Sequence, residues 1–260
     1  EETQKRGLNR AEHRLHLRCE LPHHTTLPLF EKLVGREPVS LVSLMDHSPG
    51  QRQFANIEKY REYYQGKYSL SDAEMARYEE EQLALAAQWS QPNRLSIAAM
   101  CRDRNIALAS HDDATHDHVR ESHQLGSVIA EFPTTFEAAE ASRKHGMNVL
   151  MGAPNIVRGG SHSGNVAASK LASLGLLDIL SSDYYPASLL DAAFRVADDE
   201  GNSFSLPQAI RLVTKNPASA LNLQDRGEIA EGKRADLVLA HRKGEHVHID
   251  HVWRQGKRVF

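Results

Sequence analysis

The strongest constraint on this chain is one pattern used repeatedly: a short apolar run that stops on an acid or a histidine. Leu177-Asp178-Ile179-Leu180-Ser181-Ser182-Asp183 has it, as do Leu41-Val42-Ser43-Leu44-Met45-Asp46-His47 and Ile106-Ala107-Leu108-Ala109-Ser110-His111. Arg14-Leu15-His16-Leu17-Arg18-Cys19-Glu20 ends likewise on a carboxylate. Runs this apolar read as strands covered on both faces. Helical stretches separate them, long enough for right-handed crossovers, so the pattern predicts a parallel α/β barrel or open sheet. In either, the carboxyl ends of the strands open into one common crevice. A single strand-end Asp is ordinarily a helix cap. Four such ends point to a site.

Taken in order, His13 to Glu20 reads as a strand, Leu27 to Val34 as a helix and Val39 to Met45 as a strand. Residues 51–93 read as a helical insertion. Ser71-Asp72-Ala73-Glu74 has capping-box spacing, and Met75, Tyr78, Leu85 and Trp89 form a packing stripe along one helix face. Tyr60, Arg61, Tyr63, Tyr64, Lys67 and Tyr68 supply a candidate lid. A separate helix is expected from about Arg94 to Arg104. Strands follow ending at His111, Phe132 and Asp183, with an extra extended run from Val149 to Asn155. That run enters a loop rich in Gly, Ser and His, Arg158 to Asn165, where glycines let backbone amides approach a ligand and Arg158 offers a planar cation suited to phosphate. After Leu223 the texture changes to short strands, about 236–240, 247–252 and 258–260, a small β module.

A formal charge of −3 gives no general attraction for nucleic acid or an anionic membrane. No basic patch with interleaved aromatics persists along an element. No apolar run approaches the roughly 20 residues that span a bilayer, and no charged-then-apolar leader precedes the first element. Two cysteines, Cys19 and Cys101, fit a reducing compartment, so a cytoplasmic protein is expected. The 15 histidines exceed what such a chain usually carries. His241, His246, His248 and His251 read as surface residues. The others invite a metal.

A divalent metal needs several lone-pair donors converging on one point, and zinc favours imidazole nitrogen and carboxylate oxygen. Strand ends converge in that way, which makes Glu20, His47, His111 and Asp183 the candidate ligands. Such a centre activates water near neutral pH, and Asp183 is the acid placed to take the proton and return it. The expected chemistry is hydrolytic.

With these residues the chain resembles the amidohydrolase superfamily, whose members end barrel strand four on Lys or Glu, strands five and six on His, and strand eight on Asp. Thr214-Lys215-Asn216-Pro217-Ala218, followed by Gly227-Glu228-Ile229-Ala230-Glu231-Gly232-Lys233-Arg234-Ala235-Asp236-Leu237-Val238, resembles the family's junction from barrel to small β-sandwich. The resemblance implies a metal-dependent-hydrolase (β/α)8 TIM-like barrel, with residues 1–223 as about strands four to eight and 224–260 as part of the sandwich. Met45-Asp46-His47-Ser48-Pro49-Gly50-Gln51, Ser110-His111-Asp112-Asp113 and Gly152-Ala153-Pro154-Asn155 to Asn165 are similar to the branch that hydrolyses a sugar triphosphate in bacterial phosphonate use. That likeness implies a nucleotide-like triphosphate substrate contacted by Asn155, Arg158, His162 and Asn165, with Arg52 and Lys215 as further cations. It also implies one or two zinc or manganese ions, bridged by Glu20 if there are two, and a homo-oligomer as a possible assembly. The family's strand-one His-x-His is absent. Only five barrel strands are counted, so a C-terminal portion of a longer chain, not fully active by itself, is expected. Two rivals stand beside this reading: hydrolysis of a C–N bond, and a non-catalytic scaffold.

Overall fold

Strand and helix alternate because each apolar run is too short for a helix, and Asn56, Ser71, Thr115 and Thr135 cap the starts of four of the intervening helices. The computed structural model describes residues 2–161, 164–244 and 246–260. They fall into two units, one of Leu15–Met147 and the other of the first 14 residues with Asn148–Phe260. A short N-terminal helix, α1 (Glu2–Lys5), opens the second of these.

Four parallel strands build the Leu15–Met147 unit: β1 (Leu15–Glu20), β2 (Val39–Met45), β3 (Ala107–His111) and β4 (Ile129–Glu131), hydrogen-bonded in that order. Their carboxyl ends are in register, Glu20 beside Met45, Leu44 beside Ser110 and His111 beside Glu131. Helix α2 (Thr26–Val34) follows β1, and a 3-10 turn (Arg52–Phe54), α3 (Ile57–Tyr68) and α4 (Asp72–Asp103) lie between β2 and β3. Helices α5 (His116–Gln124) and α6 (Phe136–Lys144) complete the unit, each entered through a threonine cap, Thr115 and Thr135. Period-two alternation sorts β2: Val42 and Leu44 join Phe30, Val34, Ile97, Ala98 and Leu108 in an apolar core. Ser43, between them, serves a polar network on the other face. Burial of each large apolar side chain there is worth about 1.5–3 kcal/mol. Both thiols sit in this core, and burial pushes Cys19 and Cys101 up to about 12, leaving them protonated.

The insertion differs from its expected form. Instead of ending near residue 93 before a second helix, α4 runs unbroken for 32 residues from the Ser71–Glu74 capping box, with Pro92 inside it. Proline removes one helix hydrogen bond, and tertiary packing on both sides of it holds the helix together. Before Pro92, Met75 packs with Phe54 and Tyr60. After it, Ile97, Ala98 and Cys101 pack on the sheet, and Asn93 Nδ2 donates to the carbonyls of Leu21 (2.8 Å) and His23 (3.0 Å).

In the other unit β5 (Asn148–Gly152) pairs in parallel with β6 (Ile179–Ser181). The Val149 run is thus a sheet strand in its own right, and the described residues hold six parallel strands where sequence reading counted five. It stops at Gly152 because Pro154 starts α7 (Ala153–Arg158), proline being suited to a first turn. Asn155 and Arg158 are therefore helical. Helices α8 (Ala168–Ser173), α9 (Ser188–Asp198), α10 (Leu206–Arg211) and α11 (Lys215–Ala220) follow, then an antiparallel sheet of β7 (Leu237–Lys243), β8 (His246–Arg254) and β9 (Lys257–Arg258). Among the described residues no helix is long and apolar enough to cross a membrane.

Two contacts in this unit yield tests. Gly227 has φ +93°, and a Cβ there would meet Lys215 Cα at 2.9 Å and the Thr214 carbonyl at 3.0 Å. Gly227→Ala is expected to destabilise by about 1–3 kcal/mol, read from the urea midpoint. Glu12 accepts from Arg234 (2.7 Å) and Arg226 (3.2 Å), which hold its carboxyl down at about 2, below its ordinary 4.5. Its stabilisation is present above about pH 4.5 and fades as pH falls toward 2. The stability gap between wild type and Glu12→Gln should narrow over that window in urea titrations.

Candidate metal centre

Four strand ends of the Leu15–Met147 unit build the site. His47 lies two residues past β2, and its ring is held by Glu20 at the end of β1. Glu20 Oε2 is 2.6 Å from His47 Nδ1, and Oε1 accepts the His47 backbone N–H at 3.0 Å. His111 ends β3 and is held the same way by Glu131, which ends β4: Nδ1 to Oε2 is 2.7 Å. With each Nδ1 committed, each Nε2 is left facing Asp112, whose Oδ2 lies 3.6 Å from His47 Nε2 and 3.3 Å from His111 Nε2. Asp112 reaches this position with φ +56°, a conformation that Asp tolerates better than most residues.

The protons around Glu131 follow from its neighbours. Ser43 Oγ donates to Glu131 Oε2 at 2.8 Å, and having one proton, it accepts from His16 Nε2 at 2.5 Å. Burial keeps His16 below its ordinary pKa, so it is a neutral donor. His111 donates from Nδ1 to Glu131 and accepts at Nε2 from Arg18 Nη2 at 3.2 Å. Burial opposes ionisation of Glu131, but the His111 hydrogen bond outweighs it and holds the carboxyl below its usual range. Glu20 is held low in the same way by His47. Burial alone would lower His47, but hydrogen bonds to Asp112 and Glu20 raise it to about 9.

This donor set suits a divalent cation. One atom each from His47, His111 and Asp112 lies within 4.8 Å of the others. Ligand atoms around a tetrahedral ion with bonds near 2 Å are roughly 3.3 Å apart, close to the spacing from Asp112 to the two imidazoles. Carboxylates on both Nδ1 atoms supply the outer support that metal-binding histidines normally have.

The residues expected from sequence divide. His47 and His111 converge, while Glu20 spends both oxygens on His47. Asp183 lies in the other unit, two residues past β6, with φ +47°. A Cβ on Gly152 would come within 3.3 Å of Asp183 Oδ2, so a glycine there leaves that carboxylate room. Asn155 Oδ1 accepts the Ala168 N–H at 3.0 Å, tying α7 to α8. Exposed Arg158 donates to the Tyr184 hydroxyl at 3.1 Å, and the Asn165 N–H donates to Ser161 Oγ at 3.3 Å. His162 lies outside the described residues. Arg52 and Lys215 are not free cations: Arg52 is buried against Asp113 and Glu121, and Lys215 is paired with Glu228. Sequence reading missed Asp112 and Glu131. Ser127-Val128-Ile129-Ala130-Glu131 is one more apolar run ending on an acid, so the signal for Glu131 was present.

The amidohydrolase family model matches residues 14–260. This chain belongs to the amidohydrolase family. The amidohydrolase fold, a metal-dependent-hydrolase barrel with a small β domain, accounts for its parallel strands and its antiparallel sheet. This amidohydrolase is 89% identical over all of its 260 residues to the alpha-D-ribose 1-methylphosphonate 5-triphosphate diphosphatase of Escherichia coli K12, spanning 69% of that protein's length. Two solved structures share the fold: dihydropyrimidinase from Brevibacillus agri (TM-score 0.50, 11% identity, 97% of this chain and 70% of that one) and a D-hydantoinase (0.50, 11%, 99% and 72%).

Glu131→Gln removes the charge from the Nδ1 support of His111. Zinc affinity, measured by competition with a chromophoric chelator, is expected to fall roughly 10–100-fold. Unchanged affinity would remove Glu131 from the centre.

Proposed function

We propose that this amidohydrolase hydrolyses alpha-D-ribose 1-methylphosphonate 5-triphosphate to the 5-phosphate, releasing pyrophosphate, in phosphonate catabolism. The single observation that carries this reading is 89% identity, along the whole chain, to an enzyme named for that reaction. The cluster of His47, His111 and Asp112 supports it by offering a place for one divalent ion.

In this reading the ion is zinc or manganese, one or two per subunit, held by His47, His111 and Asp112, with Glu20 and Glu131 orienting the imidazoles. Such an ion supplies Lewis acidity to a phosphoryl oxygen and makes water a stronger acid. The chain's own residues do the rest. Asp183, with room kept by Gly152, takes a proton from the attacking water and returns one to the leaving oxygen. Arg158, braced by Tyr184, is a planar donor for a phosphate oxygen of the substrate, and His162 and Asn165 are the further substrate-binding residues of this reading. Asn155 acts at one remove, by fixing α7 on α8. Buried, protonated Cys19 and Cys101 suit a cytoplasmic protein.

The test is pyrophosphate release from the ribose triphosphate by the full-length enzyme. Asp183→Asn is expected to lower kcat roughly 10²–10⁴-fold with the fold intact. Chelation should abolish turnover, and zinc or manganese should restore it. Amine release from a cyclic amide, with no pyrophosphate from the triphosphate, would overturn the assignment in favour of C–N chemistry.

A further inference from the structure

Five alternating charges run through the Leu15–Met147 unit: Asp46, Arg94, Glu121, Arg52 and Asp113. Arg94 Nη2 donates to Asp46 Oδ2 (3.2 Å) and its Nη1 to Glu121 Oε1 (2.7 Å). Arg52 Nη2 donates to the other Glu121 oxygen (3.1 Å), and its Nη1 to Asp113 Oδ1. Side chains of Arg52, Arg94, Asp46 and Asp113 are at most 8% exposed. The two end acids are placed tellingly. Asp46 directly precedes His47, and Asp113 directly follows Asp112. Both arginines come from the segment between β2 and β3, one from its 3-10 turn and one from α4.

A stability role explains this chain poorly. Burying charge costs free energy, and well-packed apolar residues commonly do as well or better. The network is also incompletely satisfied, since Arg94 Nε and Asp113 Oδ2 are buried without a hydrogen-bond partner among the described residues. Arg52 further sits at φ +44°, an unfavourable backbone for a side chain of its size. What the network does supply is a fixed separation. Each guanidinium fork engages two carboxylates at once, so the loop carrying His47 and the loop carrying His111 and Asp112 are tied through one shared acid, Glu121. Ser48 secures Asp46 through its hydroxyl and its N–H (3.2 Å), and Ser122 secures Asp113 (3.3 Å).

We infer that Arg52 and Arg94 are positioning residues, and that the helical segment supplying them serves to clamp the two ligand-bearing loops at metal-binding distance. This rests on the metal-centre reading above. The test titrates cobalt(II) into metal-free full-length protein carrying Arg94→Lys, which keeps the charge and loses the fork. Glu121→Gln, which leaves two cations facing two aspartates, is titrated in parallel, and His111→Ala is the control. The two clamp variants are expected to bind cobalt roughly tenfold more weakly, with a shifted visible absorption band, a loss larger than any fall in their metal-free melting temperatures accounts for. Folded variants with wild-type affinity and spectrum would overturn the clamp. Weaker binding only in proportion to lost stability would also overturn it, by reducing the network to a structural role. Should Arg94→Lys fail to fold, Glu121→Gln decides. If His111→Ala too leaves cobalt binding unchanged, the metal centre itself fails; if it alone abolishes binding, only the clamp does.

Discussion

The paired hydrogen bonds from His47 Nδ1 to Glu20 and from His111 Nδ1 to Glu131 are what the site depends on. An imidazole has two nitrogens, and a partner on one determines what the other offers. With both Nδ1 atoms on carboxylates, both Nε2 atoms face Asp112, and three donors meet in one place. Without those carboxylates the same histidines would be free to turn. The pairs exist because neighbouring strands end in register, so that an acid on one strand stands beside a histidine on or just past the next.

The arrangement also explains the polar inner face of β1, β2 and β4. His16 donates to Ser43, and Ser43 and His111 both donate to Glu131, so the protons on this face converge on one carboxylate. The opposite face of β1 and β2 is apolar and packed by α2 and α4, while Ala130 of β4 packs with Val119 of α5 and Ala138 of α6. One sheet thus separates its two tasks by side-chain alternation, stability on one face and chemistry on the other. The long α4 joins them, anchoring the core through Ile97 and Cys101 and reaching the site's edge through Arg94.

Much of this was legible before any coordinates. Strands β2 and β3 were clear because their apolar runs are too short for helices and stop at polar residues. Helix α2 was clear too, expected from Leu27 to Val34 and found as Thr26–Val34. Other features were not. The run at Val149 looked like an adjunct because only strand pairing makes it part of a sheet, and α4 looked like two helices because Pro92 signals a break that packing overrides. Arg52 looked like a substrate cation, since nothing in its neighbours along the chain indicates Asp113 and Glu121 beside it.

The amino-acid sequence by itself determined the alternation of strand and helix, the kinds of residue at the strand ends and hence hydrolytic, metal-type chemistry, because these rest on local patterning and residue chemistry. Tertiary structure alone decided the pairings. Glu20 and Glu131 support imidazoles, while Asp112 faces both Nε2 atoms. Those assignments depend on which oxygen meets which nitrogen across 20 to 27 positions of chain, a distance that only strand register and loop conformation can close.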